Sequence, residues 1–89
     1  MNKIEKQILD NKKQYAEIKG YQLNPDQKIV DIIIAGLTRN KKEKGYEYCP
    51  CRPLEGDLGK DRKKICPCFW HKAEIKKDGF CHCRLFYKK

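Results

Sequence analysis

The stretch Cys49–Cys83, CPCRPLEGDLGKDRKKICPCFWHKAEIKKDGFCHC, contains all six cysteines of the 89-residue chain. They form three C-x-C pairs, which are Cys49-Pro50-Cys51, Cys66-Pro67-Cys68 and Cys81-His82-Cys83. Residues 1–48 contain no cysteine, so we expect them to act as a scaffold for any sulfur chemistry. A chain this short buries only a small core, so we expect a metal or a covalent crosslink to support the fold.

The first part of the scaffold has the pattern of an amphipathic helix over residues 3–19. Four apolar residues recur there at helical spacing among lysines and glutamates, and they are Ile4, Ile8, Tyr15 and Ile18. Gly20 provides a stop signal at the end of the segment. We therefore expect these four side chains to lie on one face of the helix.

A second helix is predicted to begin at Pro25. Asn24 can cap it, proline is tolerated at the first helical position, and Gln27 completes a capping box. A broad apolar stripe marks it as the main core element, with members Ile29, Val30, Ile33, Ile34 and Leu37. Gly45 follows a basic last turn and ends the helix. Gly36 in mid-helix costs about 1 kcal/mol relative to Ala, so we expect a close backbone approach there.

Beyond Gly45 the sequence indicates mostly irregular structure. Prolines and glycines punctuate the 14 residues between Cys51 and Cys66, which we expect to wrap as a loop. Residues 69–77 could form two helical turns, and residues 85–87 offer an apolar plug for the core. The prediction is one small, mainly α-helical domain over residues 1–89, built of helices and irregular loops.

Charge and hydropathy limit the classes of partner and compartment. The net charge is +9; residues 1–48 carry ten Lys and Arg against seven Asp and Glu, and residues 49–89 carry eleven against five. The more basic cysteine half favours an acidic partner, either a protein or a nucleic acid. No apolar run is long enough for a membrane span, and the N-terminus lacks a secretory signal pattern. We predict a cytoplasmic protein, where clustered cysteines more often serve metal or redox chemistry than structural disulfides.

The residues alone leave four uses of the six thiols open. Three disulfides would use all six, and two tetrahedral zinc sites would use all six together with His71 and His82. A single zinc ion or a single iron-sulfur cubane would use four thiols. The two that remain are the number that a redox-active disulfide requires.

The spacing of the cysteines and the residues beside them favour some of these four alternatives but exclude none. The C-x-C pairs are tighter than the usual C-x(2–4)-C of zinc sites. The prolines after Cys49 and Cys66 favour extended backbone, which suits ligation of different irons better than chelation of one ion. We expect His71 to be an ordinary surface or hydrogen-bonded residue. His82 lies between two cysteines, where its imidazole could carry a proton to or from an adjacent thiolate.

The order Cys-Pro-Cys-Arg, Cys-Pro-Cys and Cys-His-Cys, followed by Leu-Phe, resembles the catalytic (beta) subunit of ferredoxin:thioredoxin reductase. The resemblance extends upstream through Ile34-Ala35-Gly36-Leu37 and covers roughly residues 25–87. It implies helices and loops wrapped around a 4Fe-4S cluster. It also implies an oxidoreductase that takes single electrons from ferredoxin and reduces thioredoxin or a glutaredoxin-like protein through a mixed disulfide. Plant members of the family pair with a variable subunit, which makes such a subunit a further possible partner.

The resemblance also implies a role for each cysteine. The four cluster ligands would be Cys49, Cys66, Cys68 and Cys81. Cys51 and Cys83 would form the redox-active disulfide, with Cys51 as the exposed nucleophile and Cys83 as the cluster-side sulfur. His82 would manage protons for this pair. The chain departs from the plant members in its gaps, since its first is shorter and its last, residues 69–80, is longer.

Two other functions follow from the same residues. A zinc-bound interaction or nucleic-acid-binding module would use the Cys/His cluster together with the positive charge. A one-electron transfer protein would use a cluster and leave the two further thiols incidental. The resemblance favours the reductase over both, and it makes nucleic acid the less expected partner.

Overall fold

Helices supply most of the regular structure of the protein, as the sequence predicts. A computed structural model describes residues 2–89, with elements in the order α1 (Lys3–Lys19), β1 (Tyr21–Leu23), α2 (Gln27–Lys44), α3 (Leu58–Asp61), a 3-10 turn (Arg62–Lys64), α4 (His71–Asp78) and β2 (Phe86–Lys88). The molecule is thin in one direction, with extents of 34 × 30 × 21 Å. Among the described residues, none of the helices has the length and apolar character needed to cross a bilayer.

Helix α1 ends where the sequence predicts but turns a different face to the core. Gly20 terminates it in the left-handed conformation, with φ of 79°. The buried residues of the helix are Ile8, Leu9, Lys12 and Ala16. The side chains of Ile4 and Ile18 are 40% and 79% exposed, so of the four residues predicted to share a face only Ile8 and Tyr15 pack in or against the core. The buried face includes a lysine because Lys12 finds a polar partner inside, as described below.

Helix α2 begins two residues later than predicted. Asp26 is its N-cap, and its side chain accepts a hydrogen bond from the first turn. The side-chain oxygen of Asn24 accepts instead from the Asp26 N–H at 2.8 Å, and its amide donates to the Arg84 carbonyl at 3.0 Å. The predicted start at Pro25 and cap at Asn24 are therefore wrong, because Asn24 ties the start of α2 to the C-terminal segment.

The apolar stripe of α2 forms the centre of the core, as predicted. Val30, Ile34 and Leu37 are at most 1% exposed. Gly45 ends the helix with φ of 85°, which is the position the sequence indicates. A Cβ built at Gly36 would lie 2.7 Å from Pro50 Cγ and 3.0 Å from Pro50 Cβ. The predicted close approach therefore exists, and it joins the middle of α2 to the first C-x-C pair.

Substituting Gly36 with alanine is expected to destabilise the protein by about 1–3 kcal/mol. The gain in helix propensity of about 1 kcal/mol is smaller than the cost of overpacking against a proline ring that cannot swing away. The change in the free energy of unfolding can be measured by urea titration. Gly59→Ala is the matched control, since its Cβ would meet only the movable Asp57 carboxylate at 3.3 Å. Equal stability of wild type and Gly36→Ala would contradict the close packing.

The cysteine half contains more regular structure than the sequence indicates. The loop between Cys51 and Cys66 holds α3 and the 3-10 turn, and α4 occupies most of the helical segment predicted at residues 69–77. The carboxylate of Asp61, which is 5% exposed, organises the loop. It accepts hydrogen bonds from the N–H groups of Glu55 and Gly56 and pairs with Lys64.

Asp61→Ala is expected to loosen this loop, because two backbone N–H groups and a buried lysine would lose their common partner. The N–H of Glu55, followed by Lys64, holds the pKa of Asp61 below its usual range, so the carboxylate is ionised at neutral pH. We expect trypsin to cleave after Lys60 and Arg62 several times faster in the variant, as followed by mass spectrometry. Asp10→Ala changes an exposed carboxylate on α1 and should leave the cleavage rate unchanged. Identical cleavage of wild type and Asp61→Ala would contradict this role.

The β-sheet is the element that the sequence does not indicate. Strands β1 and β2 pair antiparallel, with Leu23 opposite Phe86 and Tyr21 opposite Lys88. Leu85 and Phe86 are 0% and 1% exposed, which confirms that the residues after the last cysteine pack in the core. The pairing fixes the C-terminal segment against the end of α1 and thereby places the third C-x-C pair.

Candidate functional site

All six cysteines carry free thiols and lie within or against one core cluster. Four of them are buried, at most 5% exposed, and these are Cys49, Cys66, Cys68 and Cys81. Cys51 and Cys83 are partly exposed. Exposure therefore separates the six thiols into four inner and two outer ones, which is the same division that the family resemblance implies.

Cys49 and Cys83 occupy the centre of this group of sulfurs. The side chain of Cys49 lies near three other thiols, those of Cys66, Cys68 and Cys83. The side chain of Cys83 also lies near the thiols of Cys51 and Cys81. The Sγ atoms of Cys81 and Cys83 are 3.7 Å apart. The three C-x-C pairs, although distant in sequence, thus converge on one site.

Tight turns place the first and third pairs. The Arg52 N–H donates to the Cys49 carbonyl at 3.3 Å, and the Arg84 N–H donates to the Cys81 carbonyl at 2.8 Å. Arg84 has a positive φ of 63°, the left-handed conformation that closes the second turn. The first pair therefore lies in a turn, which differs from the extended pair that its proline suggests.

Backbone pairing and a buried lysine hold the middle pair. The Cys66 N–H donates to the Glu47 carbonyl at 2.8 Å. Lys12 Nζ donates to the Cys66 carbonyl at 3.1 Å and pairs with the Glu47 carboxylate at 3.0 Å. Helix α1 is thereby attached to the middle pair, and Lys12 is satisfied in a buried position.

His71 is a hydrogen-bonded core residue. It is 7% exposed, its Nδ1 bonds to the Cys68 carbonyl, and its Nε2 bonds to the Tyr15 hydroxyl. This agrees with the hydrogen-bonded role expected from the sequence. Because both ring nitrogens have partners, His71 is not available as a ligand for the two-zinc arrangement.

Interactions among the thiols raise the pKa of some of them and lower the pKa of others. Hydrogen bonding to other thiols, chiefly to Cys66 for Cys49 and to Cys49 for Cys83, raises the pKa of both central cysteines. The Cys49 thiol lowers the pKa of Cys68 to about 6, with further contributions from the Trp70 N–H and the Arg52 guanidinium. The Cys83 thiol lowers the pKa of Cys81 to about 7. Cys68 and Cys81 therefore favour the thiolate, the form in which cysteine binds metal or attacks a disulfide, whereas Cys49 and Cys83 favour the thiol.

A charged network covers the outer side of the thiols. Arg52 Nη2 donates to Glu74 Oε2 at 2.6 Å, and the guanidinium stacks on the Trp70 ring at 4.6 Å from the centroid. Glu74 Oε1 accepts the His82 N–H at 3.1 Å. Among the described residues, the buried Arg52 Nε–H finds no hydrogen-bond acceptor. The network joins residues adjacent to Cys51 and to Cys83.

Sequence reasoning missed most of this network. Arg52 entered the family resemblance only as the residue that follows the first pair, with no role predicted for its side chain. In the sequence, Glu74 and Lys12 are indistinguishable from charged residues at the surface. The exposed side chain of His82 makes no hydrogen bond within the described part of the chain. Its proton-transfer role therefore stays a prediction.

The donor set fits an iron-sulfur group. Within residues 2–89, no three His, Cys, Asp or Glu side chains converge on a position for one metal ion. Four buried thiols on three separate segments can instead each bind one iron of a cluster, and iron-sulfur clusters take Cys thiolates as ligands. The Arg52 guanidinium lies near Cys68, and its unpaired Nε–H is a donor that suits a neighbour rich in acceptor sulfur.

Comparison with known proteins gives a consistent result. A family model described as ferredoxin thioredoxin reductase catalytic beta chain matches residues 1–89. The chain is 32% identical over 75 residues to the ferredoxin-thioredoxin reductase catalytic chain of Synechocystis sp., a match that covers 82% of this chain and 60% of the relative. The catalytic chain of Guillardia theta is 30% identical over 83 residues, covering 86% of this chain and 78% of the relative. The chain thus spans about 60% of the length of the Synechocystis relative. It belongs to the family of ferredoxin thioredoxin reductase catalytic beta chains.

Proposed function

We propose that this protein is an iron-sulfur disulfide reductase that takes single electrons from ferredoxin and reduces thioredoxin or a similar small redox protein. The observation that carries the proposal is the convergence of six free thiols, of which four are buried and two are partly exposed. Four buried thiols suit a permanently held cofactor. Two partly exposed thiols that lie near each other suit reversible disulfide chemistry with a second protein.

In this proposal the inner thiols of Cys49, Cys66, Cys68 and Cys81 hold a 4Fe-4S cluster. When bound, the cluster supplies a one-electron relay, which is needed because ferredoxin delivers electrons singly whereas a disulfide takes two. Residues 1–89 act as one domain, in which residues 1–48 form the helical scaffold and residues 49–83 the site. The packing of the inner thiols in the core excludes water and substrate from them.

The two outer thiols carry out the exchange with the substrate. The Cys51 thiolate attacks one sulfur of the target disulfide, which forms a mixed disulfide and releases the first target thiolate. Cys83 then gives up its proton, and its sulfur attacks the Cys51 sulfur, which forms the Cys51–Cys83 disulfide and releases the second target thiolate. Two protons reach the released thiolates, and we assign their delivery to His82. Two electrons and two protons restore the starting thiols.

Charge supports the direction of electron delivery. The protein carries +9, so an acidic ferredoxin would be attracted to it, mainly through a faster association. A variable subunit remains a proposed further partner by analogy with the plant proteins. We place the protein in the cytoplasm, a reducing compartment in which clustered cysteines more often serve metal or redox chemistry than structural disulfides.

An anaerobic assay tests the proposal directly. Purified holoprotein is mixed with oxidised thioredoxin, with reduced ferredoxin as the sole electron donor, and the thiols that appear on thioredoxin are counted. We expect two thiols per two ferredoxins oxidised. Oxidation of ferredoxin without new thiols would favour the one-electron carrier, and colourless protein containing zinc would favour the zinc module. Activity only with a different disulfide protein would change the substrate and leave the reaction intact.

A further inference from the structure

One carboxylate bridges the two segments that carry the outer thiols. Glu74 Oε2 accepts from Arg52, the residue after Cys51, and Oε1 accepts from the N–H of His82, the residue before Cys83. The contact with Arg52 is sheltered, because the side chains of Arg52 and Glu74 are only 19% and 23% exposed, whereas the contact with the His82 N–H lies at the surface. The two loops have no covalent link other than through the long intervening chain, so this carboxylate is a direct tie between them.

The helix that carries Glu74 is firmly packed in the core. Glu74 lies on α4, which is anchored in the core by Ile75, 2% exposed, and by the hydrogen-bonded His71. The ring of Trp70 lies against the guanidinium of Arg52, so the same segment contacts this group in two ways. A charge-assisted hydrogen bond at 2.6 Å between sheltered groups is among the stronger polar contacts in proteins.

We propose that Glu74 is a positioning residue for the thiol pair, a proposal that rests on the redox role proposed above for Cys51 and Cys83. Its carboxylate holds the two loops so that the two sulfurs stay within bonding reach. Preorganising two groups raises their effective concentration without any new contact between them. Glu74 thus favours formation of the Cys51–Cys83 disulfide, which is the resolving step of the exchange.

The position of the thiol–disulfide equilibrium measures this effect. Holoprotein is equilibrated anaerobically with defined ratios of glutathione and glutathione disulfide, and the Cys51–Cys83 bond is quantified by alkylation and peptide mass spectrometry. One glutathione disulfide oxidises the two protein thiols to the protein disulfide and leaves as two glutathione thiols. The resulting equilibrium constant reports the proximity of the thiols and requires no turnover.

Glu74→Gln keeps the shape and an acceptor but removes the charge, and Glu74→Ala removes the tie. We expect the equilibrium constant to fall about tenfold in Glu74→Ala and by a smaller factor in Glu74→Gln, as loss of one charge-assisted hydrogen bond predicts. Asp78→Asn is the matched control, because it removes an exposed carboxylate from the same helix. It should retain the wild-type constant, and both Glu74→Gln and Asp78→Asn should retain wild-type iron content.

Each other result counts against the proposal. A wild-type constant in Glu74→Gln and Glu74→Ala would overturn it, as would an equal decrease in Asp78→Asn. Loss of iron from Glu74→Gln would show that Glu74 supports the fold rather than the thiol pair. Absence of a Cys51–Cys83 disulfide in wild type at every glutathione ratio would instead reject the proposed function, and the positioning role with it.

Discussion

Cys51→Ser is expected to reduce disulfide turnover about 10³-fold or more while iron content stays at about four per chain. Serine cannot supply the thiolate that attacks the target, and no inner thiol can replace it because those side chains are at most 5% exposed. Turnover is measured as ferredoxin-driven thioredoxin reduction, and iron by colorimetric analysis of the same sample.

Cys83→Ser provides the matched comparison. In this variant Cys51 can still attack the target, but no neighbouring thiol resolves the product, so a stable mixed disulfide with Cys51 should accumulate. Intact-mass analysis under non-reducing conditions detects it. In reduced wild type, alkylation should modify Cys51 before Cys83. Full turnover by both serine variants, or equal labelling of the two thiols, would contradict the roles assigned to them.

Removal of the iron is expected to have the second large effect, a lowering of the melting temperature by about 20 °C. The four inner thiols come from three separate segments and form part of the core, so a bound cluster crosslinks most of the chain. A loss of about 4 kcal/mol produces a shift of this size in a domain of this length. Circular dichroism at 222 nm during heating measures it, for holoprotein and for protein treated with a chelator.

Cys49→Ala should reproduce the effect of iron removal, because Cys49 is 2% exposed and lies near three other thiols. Cys51→Ser serves as the control, since it alters an outer thiol and should keep both iron and melting temperature. An apoprotein that melts within a few degrees of the holoprotein would contradict the view that the core depends on the metal.

Signals that act within a few residues predicted most of the fold. The bounds of α1, the end of α2 at Gly45 and the packing at Gly36 each follow from local sequence. The predictions from local sequence were wrong where the tertiary structure gives a residue a different partner or environment. Asn24 does not cap α2 because its side-chain oxygen accepts from the Asp26 N–H, while its amide donates to the distant Arg84 carbonyl. Ile18 stays exposed although it shares the spacing of core residues.

For the candidate site, the sequence predicted the cysteines but not the contacts that support them. Cysteine spacing and the family resemblance identified the residues that converge, and their exposure divides them as the resemblance implies. The supporting contacts could not be predicted, because they join segments that the folded chain alone brings together. Glu74 and Lys12 are ordinary helix charges in sequence, yet one bridges the loops of the outer thiols and the other holds the Cys66 carbonyl. The pairing of β1 with β2 was missed for the same reason, since each strand has only three residues.

Thiol mapping of the oxidised holoprotein tests the division of the six cysteines most directly. The sample is alkylated anaerobically, digested and analysed by mass spectrometry, before and after release of its iron. We predict a Cys51–Cys83 disulfide in both samples, and alkylation of Cys49, Cys66, Cys68 and Cys81 only after about four irons per chain have been released. A disulfide that includes any of the four inner thiols, or their full alkylation with the iron still bound, would contradict the account.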